Sequence, residues 1–296
     1  MTPRRCPLCD GANRETLAEV AAAAVVSGNS TYRADALRRL NVAADARYPI
    51  VRCTRCGFVF AAFVPDFLRV LYDDVIDPEA ARRESQSPSW VGHQLRLASL
   101  LLEKLGGERV RVLDYGCGYG AIVRALQGPS IECVGYEPSP SASEAAHAKT
   151  SLDEIEGSFD GVILSDVLEH VPEPLATLAE CRARLRSGGW ICVSVPDFSP
   201  RRLRDTLADA AAGRPFTREL NPWEHLNYFS PSTLAQMLAR AGFDADRATN
   251  LDFGFRPDTA GVRRVGNAVK SALRLGKFAI DPRPLTTTLL ARVTGA

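Results

Sequence analysis

A short apolar run, Val110-Arg-Val-Leu-Asp114, breaks directly into Tyr115-Gly116-Cys117-Gly118-Tyr119-Gly120, and a helix-compatible segment through Leu126 follows. Strand, glycine-rich turn and helix in that order commit this part of the chain to an α/β layer, because a strand that feeds a helix returns to a parallel neighbour. The alternation continues downstream. Ile131 to Tyr136 and Phe159 to Leu164 read as strands, Glu173 to Leu185 as an amphipathic helix, and Trp190 to Val195 as a strand after Ser187-Gly-Gly189. Ser230 to Ala241 reads as a helix with Pro231 in its first turn, and Phe243 to Leu251 and Leu285 to Val293 read as late strands. Upstream, His93 to Leu105 has helical spacing and stops at Gly106-Gly107. The expected fold is an α/β doubly wound, Rossmann-like sheet with its ligand at the carboxyl ends of the strands.

The glycine turn specifies the kind of ligand. Glycines at 116, 118 and 120 let the backbone pass close to a bound molecule, and the helix N-terminus behind them polarises it. Glu137 closes the second strand 17 residues after Gly120, where a carboxylate can hold both ribose hydroxyls of a nucleoside. Two cofactors suit these features, since Gly116-x-Gly118-x-x-Ala121 also fits a loose dinucleotide fingerprint. Asp114 separates them. A carboxylate there repels a pyrophosphate, whereas S-adenosylmethionine (SAM) carries a sulfonium and an ammonium that favour it. The cofactor expected is SAM, with S-adenosylhomocysteine (SAH) as product.

Four of the eight cysteines form two pairs, Cys6-Pro-Leu-Cys9 and Cys53-Thr-Arg-Cys56, while Cys117, Cys133, Cys181 and Cys192 fall in segments that read as core. Four thiolates fill the tetrahedral shell of zinc at about 2.3 Å, so the expected ion is structural rather than catalytic. A thioredoxin-like redox role is discounted, because the pairs precede any strand–helix pattern. Between them, Leu17 to Val26 and Tyr32 to Asn41 are expected to form a short helical insert. The 296 residues thus divide into a zinc-binding module at 1–62, a linker or cap at 63–87, and a catalytic domain at 88–296 in which 197–229 overhangs the acceptor. No apolar h-region follows Arg4-Arg5, and the apolar run Val20 to Val26 has seven residues, far short of the roughly 20 that span a bilayer. The chain is expected to be cytoplasmic.

Taken together, Val112-Leu-Asp-Tyr-Gly-Cys-Gly-Tyr-Gly120, Glu137, Phe159-Asp-Gly-Val-Ile-Leu-Ser-Asp-Val-Leu-Glu-His-Val171 and Leu185-Arg-Ser-Gly-Gly-Trp-Ile-Cys-Val-Ser-Val-Pro196 resemble the ordered motifs of class I SAM-dependent methyltransferases. The resemblance covers about 88–296 and implies a seven-stranded sheet whose last strand is antiparallel. It also implies that Gly116, Gly118 and Gly120 hold the methionine part, that Asp114 orients it and that Glu137 takes the ribose. Ser151 and Leu152 would flank adenine, and Ser165 would lie by the methionine carboxylate or the sulfonium. With its cysteine module the chain is similar to methyltransferases with an N-terminal zinc-binding domain, found among deoxysugar C-methyltransferases and natural-product or surface-glycan enzymes. In the sugar enzymes a Glu-His pair after the fifth strand supplies the base, and Glu224-His225 stands at the matching place.

Removing a proton from a hydroxyl, an ammonium or an enolisable carbon favours a histidine near neutral pKa. The chain has four, at 93, 147, 170 and 225. His225 is the first candidate, with Glu224 or another carboxylate orienting it. His170, following Glu169 after the fourth strand, is the second. His93 with Tyr72 could close the site from the linker, and His147 reads as surface. A helix carrying Val262, Val265, Val269 and Leu273 on one face reads as a lid or solvated element. The acceptor class expected is a small molecule or sugar, methylated at carbon or oxygen. An RNA base methyltransferase is the alternative, because the first 62 residues carry nine basic and five acidic groups. Against it stand a net charge of +1 over the chain and little basic–aromatic interleaving. A nonenzymatic SAM- or zinc-binding protein is the third reading.

Overall fold

A computed structural model describes residues 2–211, 220–251 and 286–294. The expected helix around Val262 to Leu273 and part of the 197–229 segment lie outside these residues. In chain order the elements are β1 (Thr2–Pro3), β2 (Arg14–Ala21), α1 (Ala22–Ser27), α2 (Ala36–Arg39), β3 (Arg47–Cys53), β4 (Val59–Ala61), β5 (Phe63–Val64) and α3 (Leu68–Val70), which runs into a π-helical turn, Leu71–Val75. There follow α4 (Pro78–Ser85), α5 (Pro88–Leu102), β6 (Val110–Tyr115), α6 (Ala121–Leu126), β7 (Ile131–Tyr136), α7 (Pro140–Ala146), β8 (Phe159–Ser165), α8 (Pro174–Arg184), β9 (Leu185–Pro196), α9 (Pro200–Ala211), β10 (Asn227–Tyr228), α10 (Pro231–Arg240), β11 (Phe243–Leu251) and β12 (Thr286–Val293).

The main sheet has the order β11-β12-β9-β8-β6-β7. Strands β7, β6, β8 and β9 are parallel, and β12 runs antiparallel between β9 and β11, so the last strand is reversed as expected. Parallel strands covered on both faces need apolar residues on both, and β8 is buried along its whole length. The described residues give six strands rather than seven. At the position of the third strand a single parallel bridge joins Lys149 to Tyr136. Ser151 then caps a 3-10 turn at Leu152–Glu154 with a reciprocal Ser151/Glu154 capping box, which ends the extended run.

The front segment differs from its expected insert. Leu17 to Ala21 belongs to β2, which pairs antiparallel with β3, and only α1 and α2 are helical. A run of alanine and valine has no decisive period, and partner β3 settles it. This front sheet, β10-β4-β3-β2, takes its edge strand from the far side of the chain, since β10 pairs with Phe60 and Val59 of β4. The cores are shared too. Leu8, Phe58 and Phe60 pack in one cluster with Phe159, Leu234 and Phe229, and Trp223, fully buried, stands among Tyr32, Tyr48 and Phe67 at ring distances of 5.3 to 6.0 Å.

Candidate functional site

The glycine turn lies at the carboxyl end of β6. Gly116 has φ +74, and a Cβ there would stand 2.6 Å from Val167 Cγ2, so the position admits only glycine. At Gly118, φ +51, a Cβ would meet nothing within 4 Å; this is the open wall of the turn. Its N–H donates to Glu137 Oε2 at 2.9 Å, and Ser139 N–H donates to Glu137 Oε1 at 2.9 Å. Two amide donors hold the Glu137 carboxylate at the end of β7, while burial raises its pKa. Asp114 is only 3% exposed. Burial first, and then the Glu137 charge, push it up to about 7, so a cation at this end of β6 meets a carboxyl poised to ionise.

Asp114, Gly116, Gly118 and Ser165 line one side of an open cleft at this end of the sheet. Ser165 accepts from Gln94 Nε2 at 2.8 Å and donates to Asp166 Oδ2 at 2.8 Å. Trp90 and Gln94 of α5 close the cleft from above the sheet, and sequence reasoning missed both. A signal existed: Gln94 shares the buried face of α5 with Leu97 and Leu101, and a polar group in an apolar stripe needs a partner. Of the expected cofactor residues, Gly120 and Glu137 lie outside the lining of the cleft, as do Ser151 and Leu152. Their neighbour Lys149 takes the N–H of Glu137 on its carbonyl at 2.9 Å, which keeps this turn beside Glu137.

Beyond β8, the loop with Glu169 and His170 meets the segment that carries His225. The two imidazoles stand edge to face with centroids 4.7 Å apart. Glu169, His170 and His225 each place a ligand-type atom within 4.8 Å of the others, a set able to share a proton or hold a cation. Glu169 is 1% exposed, with neither carboxylate oxygen hydrogen-bonded. Burial, then the nearby Asp166 charge, hold its pKa well above the usual carboxylate range. His170 Nε2 lies 4.0 Å from Glu169 Oε1, and its Nδ1 shares a 3.1 Å hydrogen bond with the Tyr72 hydroxyl.

Two expectations are redirected. Tyr72 serves His170 and not His93. The His93 ring is buried, 3.3 Å from Ser194 Oγ, and burial lowers its pKa to about 4. Glu224 Oε1 is taken by Asn29 Nδ2 at 2.8 Å, Asn221 Nδ2 at 3.1 Å and the Tyr32 hydroxyl, so it ties its loop to the front segment, and the carboxylate grouped with His225 is Glu169. His147 caps α7 in a left-handed conformation and is exposed.

The four front cysteines converge. Cys6 Sγ and Cys56 Sγ are 3.5 Å apart, as are Cys9 Sγ and Cys53 Sγ, and all four lie within 4.8 Å of one another. Sulfurs around a tetrahedral zinc stand about 3.8 Å apart. Backbone amides of Leu8 and Cys9 point at Cys6, and those of Arg55 and Cys56 at Cys53. A Cβ on Gly11 would come 3.2 Å from both Cys9 Sγ and Cys53 Sγ, so glycine there keeps the sulfurs gathered. The donor set and its amide cradle fit zinc.

Residues 82–248 match the profile of a methyltransferase domain family. The ubiquinone biosynthesis O-methyltransferase of Thiobacillus denitrificans is 27% identical over 162 residues, 48% of this chain and 68% of that protein. The protein of the same name from Xanthomonas campestris pv. campestris (strain B100) is 29% identical over 150 residues, 44% of this chain and 61% of that one. These matches take in about half of this chain and about two thirds of the relatives. Among solved structures, a complex of the Haloferax volcanii Trm112 methyltransferase activator with a methyltransferase contains a chain that aligns with TM-score 0.50 at 15% identity, covering 78% of this chain and all of that one, a likeness of fold. The glycine turn, the buried Asp114, the sheet order with its reversed last strand and a family match over more than half of the chain converge: this chain belongs to the class I SAM-dependent methyltransferases, and carries a cysteine cluster that fits a zinc module ahead of that domain.

Proposed function

We propose that the enzyme methylates a small-molecule or sugar acceptor at oxygen or carbon, as in natural-product or glycan pathways of the cytoplasm, with His225 as the base. The observation that carries this reading is the buried Glu169 carboxyl beside the paired His170 and His225 rings. Bound SAM supplies an electrophilic methyl on sulfur. Asp114 would face its cationic portion, Gly118 would leave room for its backbone, and Glu137 would take the ribose hydroxyls. Ser151 and Leu152 border the adenine end. Ser165 completes the methionine side, where Gln94 and Asp166 fix its hydroxyl.

Bound SAM would supply the methyl to the acceptor's oxygen or carbon, and an imidazole nitrogen of His225 would take the acceptor's proton. A positive His225 would draw the buried Glu169 carboxyl beside it toward its ionised form, and that charge would in turn stabilise the imidazolium, while Tyr72 fixes the ring of His170. Zinc held by Cys6, Cys9, Cys53 and Cys56 is structural, since four thiolates leave no open position. Among the described residues no helix is long and apolar enough to cross a membrane.

The test is transfer of labelled methyl from SAM to a panel of phenols, keto-deoxysugars and transcribed RNA. Label on a phenol or sugar, suppressed by SAH, is the expected result. Label on RNA alone, weakening steeply with salt, would replace this reading with the nucleic-acid one. Tight SAH binding with no transfer to any acceptor would favour a binding protein.

A further inference from the structure

We infer that the cysteine module is a positioning device for the acceptor-side histidines, with Arg4 as the residue that clamps them. This rests on the proposed role of His225 and His170 and goes beyond it, because it makes the geometry of the pair depend on a part of the chain that the methyltransferase motifs do not include.

Arg4 lies between β1, which pairs with β5, and the first cysteine knuckle, so its backbone is fixed on both sides. Its N–H donates to Ala62 carbonyl at 3.0 Å. The side chain is 8% exposed and reaches both loops that carry the histidines. Nη1 donates to the Leu226 carbonyl at 2.6 Å, next to His225 in sequence. Nη2 donates to the Pro172 carbonyl at 2.7 Å, two residues beyond His170, and to Asn227 Oδ1 at 2.9 Å. Asn227 in turn donates through Nδ2 to the carbonyls of Leu168 and Val171 at 2.7 and 2.8 Å. The guanidinium and the amide therefore stitch residues 168–172 to residues 226–227.

The other side of His225 is anchored in the same module. Glu224 holds Asn29 and Tyr32, and β10 extends the front sheet beside β4, which follows the second knuckle. Facing the two imidazoles are Glu169, Tyr72 and each other, with Asp166 pressing on Glu169. Arg4 bonds the loops that carry the two rings, and it acts on the rings through those loops. A planar fork with two separately engaged nitrogens does what a lysine cannot. Charge-assisted bonds to the Leu226 and Pro172 carbonyls and to Asn227 Oδ1 also resist the loop motion that would separate the rings.

The test reads ring titration by histidine NMR in the full chain, with signals assigned by single His→Gln variants. It is made on wild type, Arg4→Met and Arg4→Lys, and on wild type stripped of metal by a chelator. Each sample is also titrated with SAH to confirm an intact cofactor cleft. Expected are SAH affinities within about threefold of wild type, with midpoints for His170 and His225 moved by about half a pH unit or more. His147 should stay unmoved, and Arg4→Lys should fall between the other two. Unmoved His170 and His225 in a variant that binds SAH would overturn the inference. Should Arg4→Met fail to bind SAH, Arg4→Lys and the metal-stripped chain carry the same reading. This readout involves no acceptor, so it stands apart from whether His225 is the base, which turnover decides.

Discussion

Replacing His225 by glutamine is expected to lower turnover by about 100-fold or more while leaving SAH affinity within a few-fold. Glutamine matches the imidazole in reach and polarity and leaves the His225 N–H bond to Asn221 carbonyl, 2.7 Å, available to the backbone, so the loop keeps its path. What it cannot do is accept a proton at neutral pH. Because Asp114, Gly118 and Glu137 lie on the other loop system, at the ends of β6 and β7, cofactor affinity reports separately from chemistry. A second signature should accompany the loss. The acidic limb of the kcat profile of wild type, set by an imidazole that must be neutral to act, should disappear in the variant. If turnover and its pH profile survive in His225→Gln, the proton goes to His170, and His170→Gln should show the loss instead.

Cys53→Ser, or removal of the ion by a chelator, is expected to lower the thermal midpoint by about 10 °C or more, because a structural zinc site contributes several kcal/mol of folding free energy. The size of the effect follows from where the cysteines sit. Cys6 and Cys53 are buried in the same cluster as Leu113, Phe159 and Leu234, so loosening the knuckles opens the core of the main sheet and not a detached bead. Cys53 also ends β3 opposite Arg14 of β2, and serine there gives up the thiolate while keeping the shape of the side chain. Cys117→Ser, in the glycine turn, should leave the bound zinc at about one per chain. A Cys53→Ser protein that melts with wild type would contradict the metal assignment.

The parts of this account that were legible in the sequence are those where local chemistry leaves one choice. A strand that is apolar on both faces, Phe159 to Ser165, has to lie inside a parallel sheet, and the glycine turn after β6 has to meet a ligand or a close neighbour. The gathered thiolates likewise follow from two C-x-x-C pairs. What escaped was decided at long range. The stretch Leu17 to Ala21 reads as helix until β3, some thirty residues on, supplies a ladder. Glu224 sits next to His225 in sequence, yet its partners Asn29 and Tyr32 come nearly two hundred residues earlier. Adjacent side chains on an extended or turning backbone point apart, so a dipeptide motif alone does not say which carboxylate serves the histidine. The seventh strand that the resemblance implies shrinks to one bridge at Lys149 for a local reason, the Ser151 cap that starts a turn.

The central claim, that the cleft at the ends of β6 and β7 binds SAM through Asp114 and Glu137, is tested most directly by calorimetric titration with SAH at pH 6 and pH 8, with zinc quantified on the same sample. Asp114 is held up to about 7 in the folded protein by burial and by Glu137, so it is mostly protonated at pH 6 and ionised at pH 8. An ammonium-bearing ligand binds the ionised form better. Affinity should therefore rise by about tenfold between the two conditions, and this rise should vanish in Asp114→Asn. Micromolar binding at pH 8 that weakens at pH 6 is the predicted result; no heat at either pH, in protein that carries its zinc, would contradict the account.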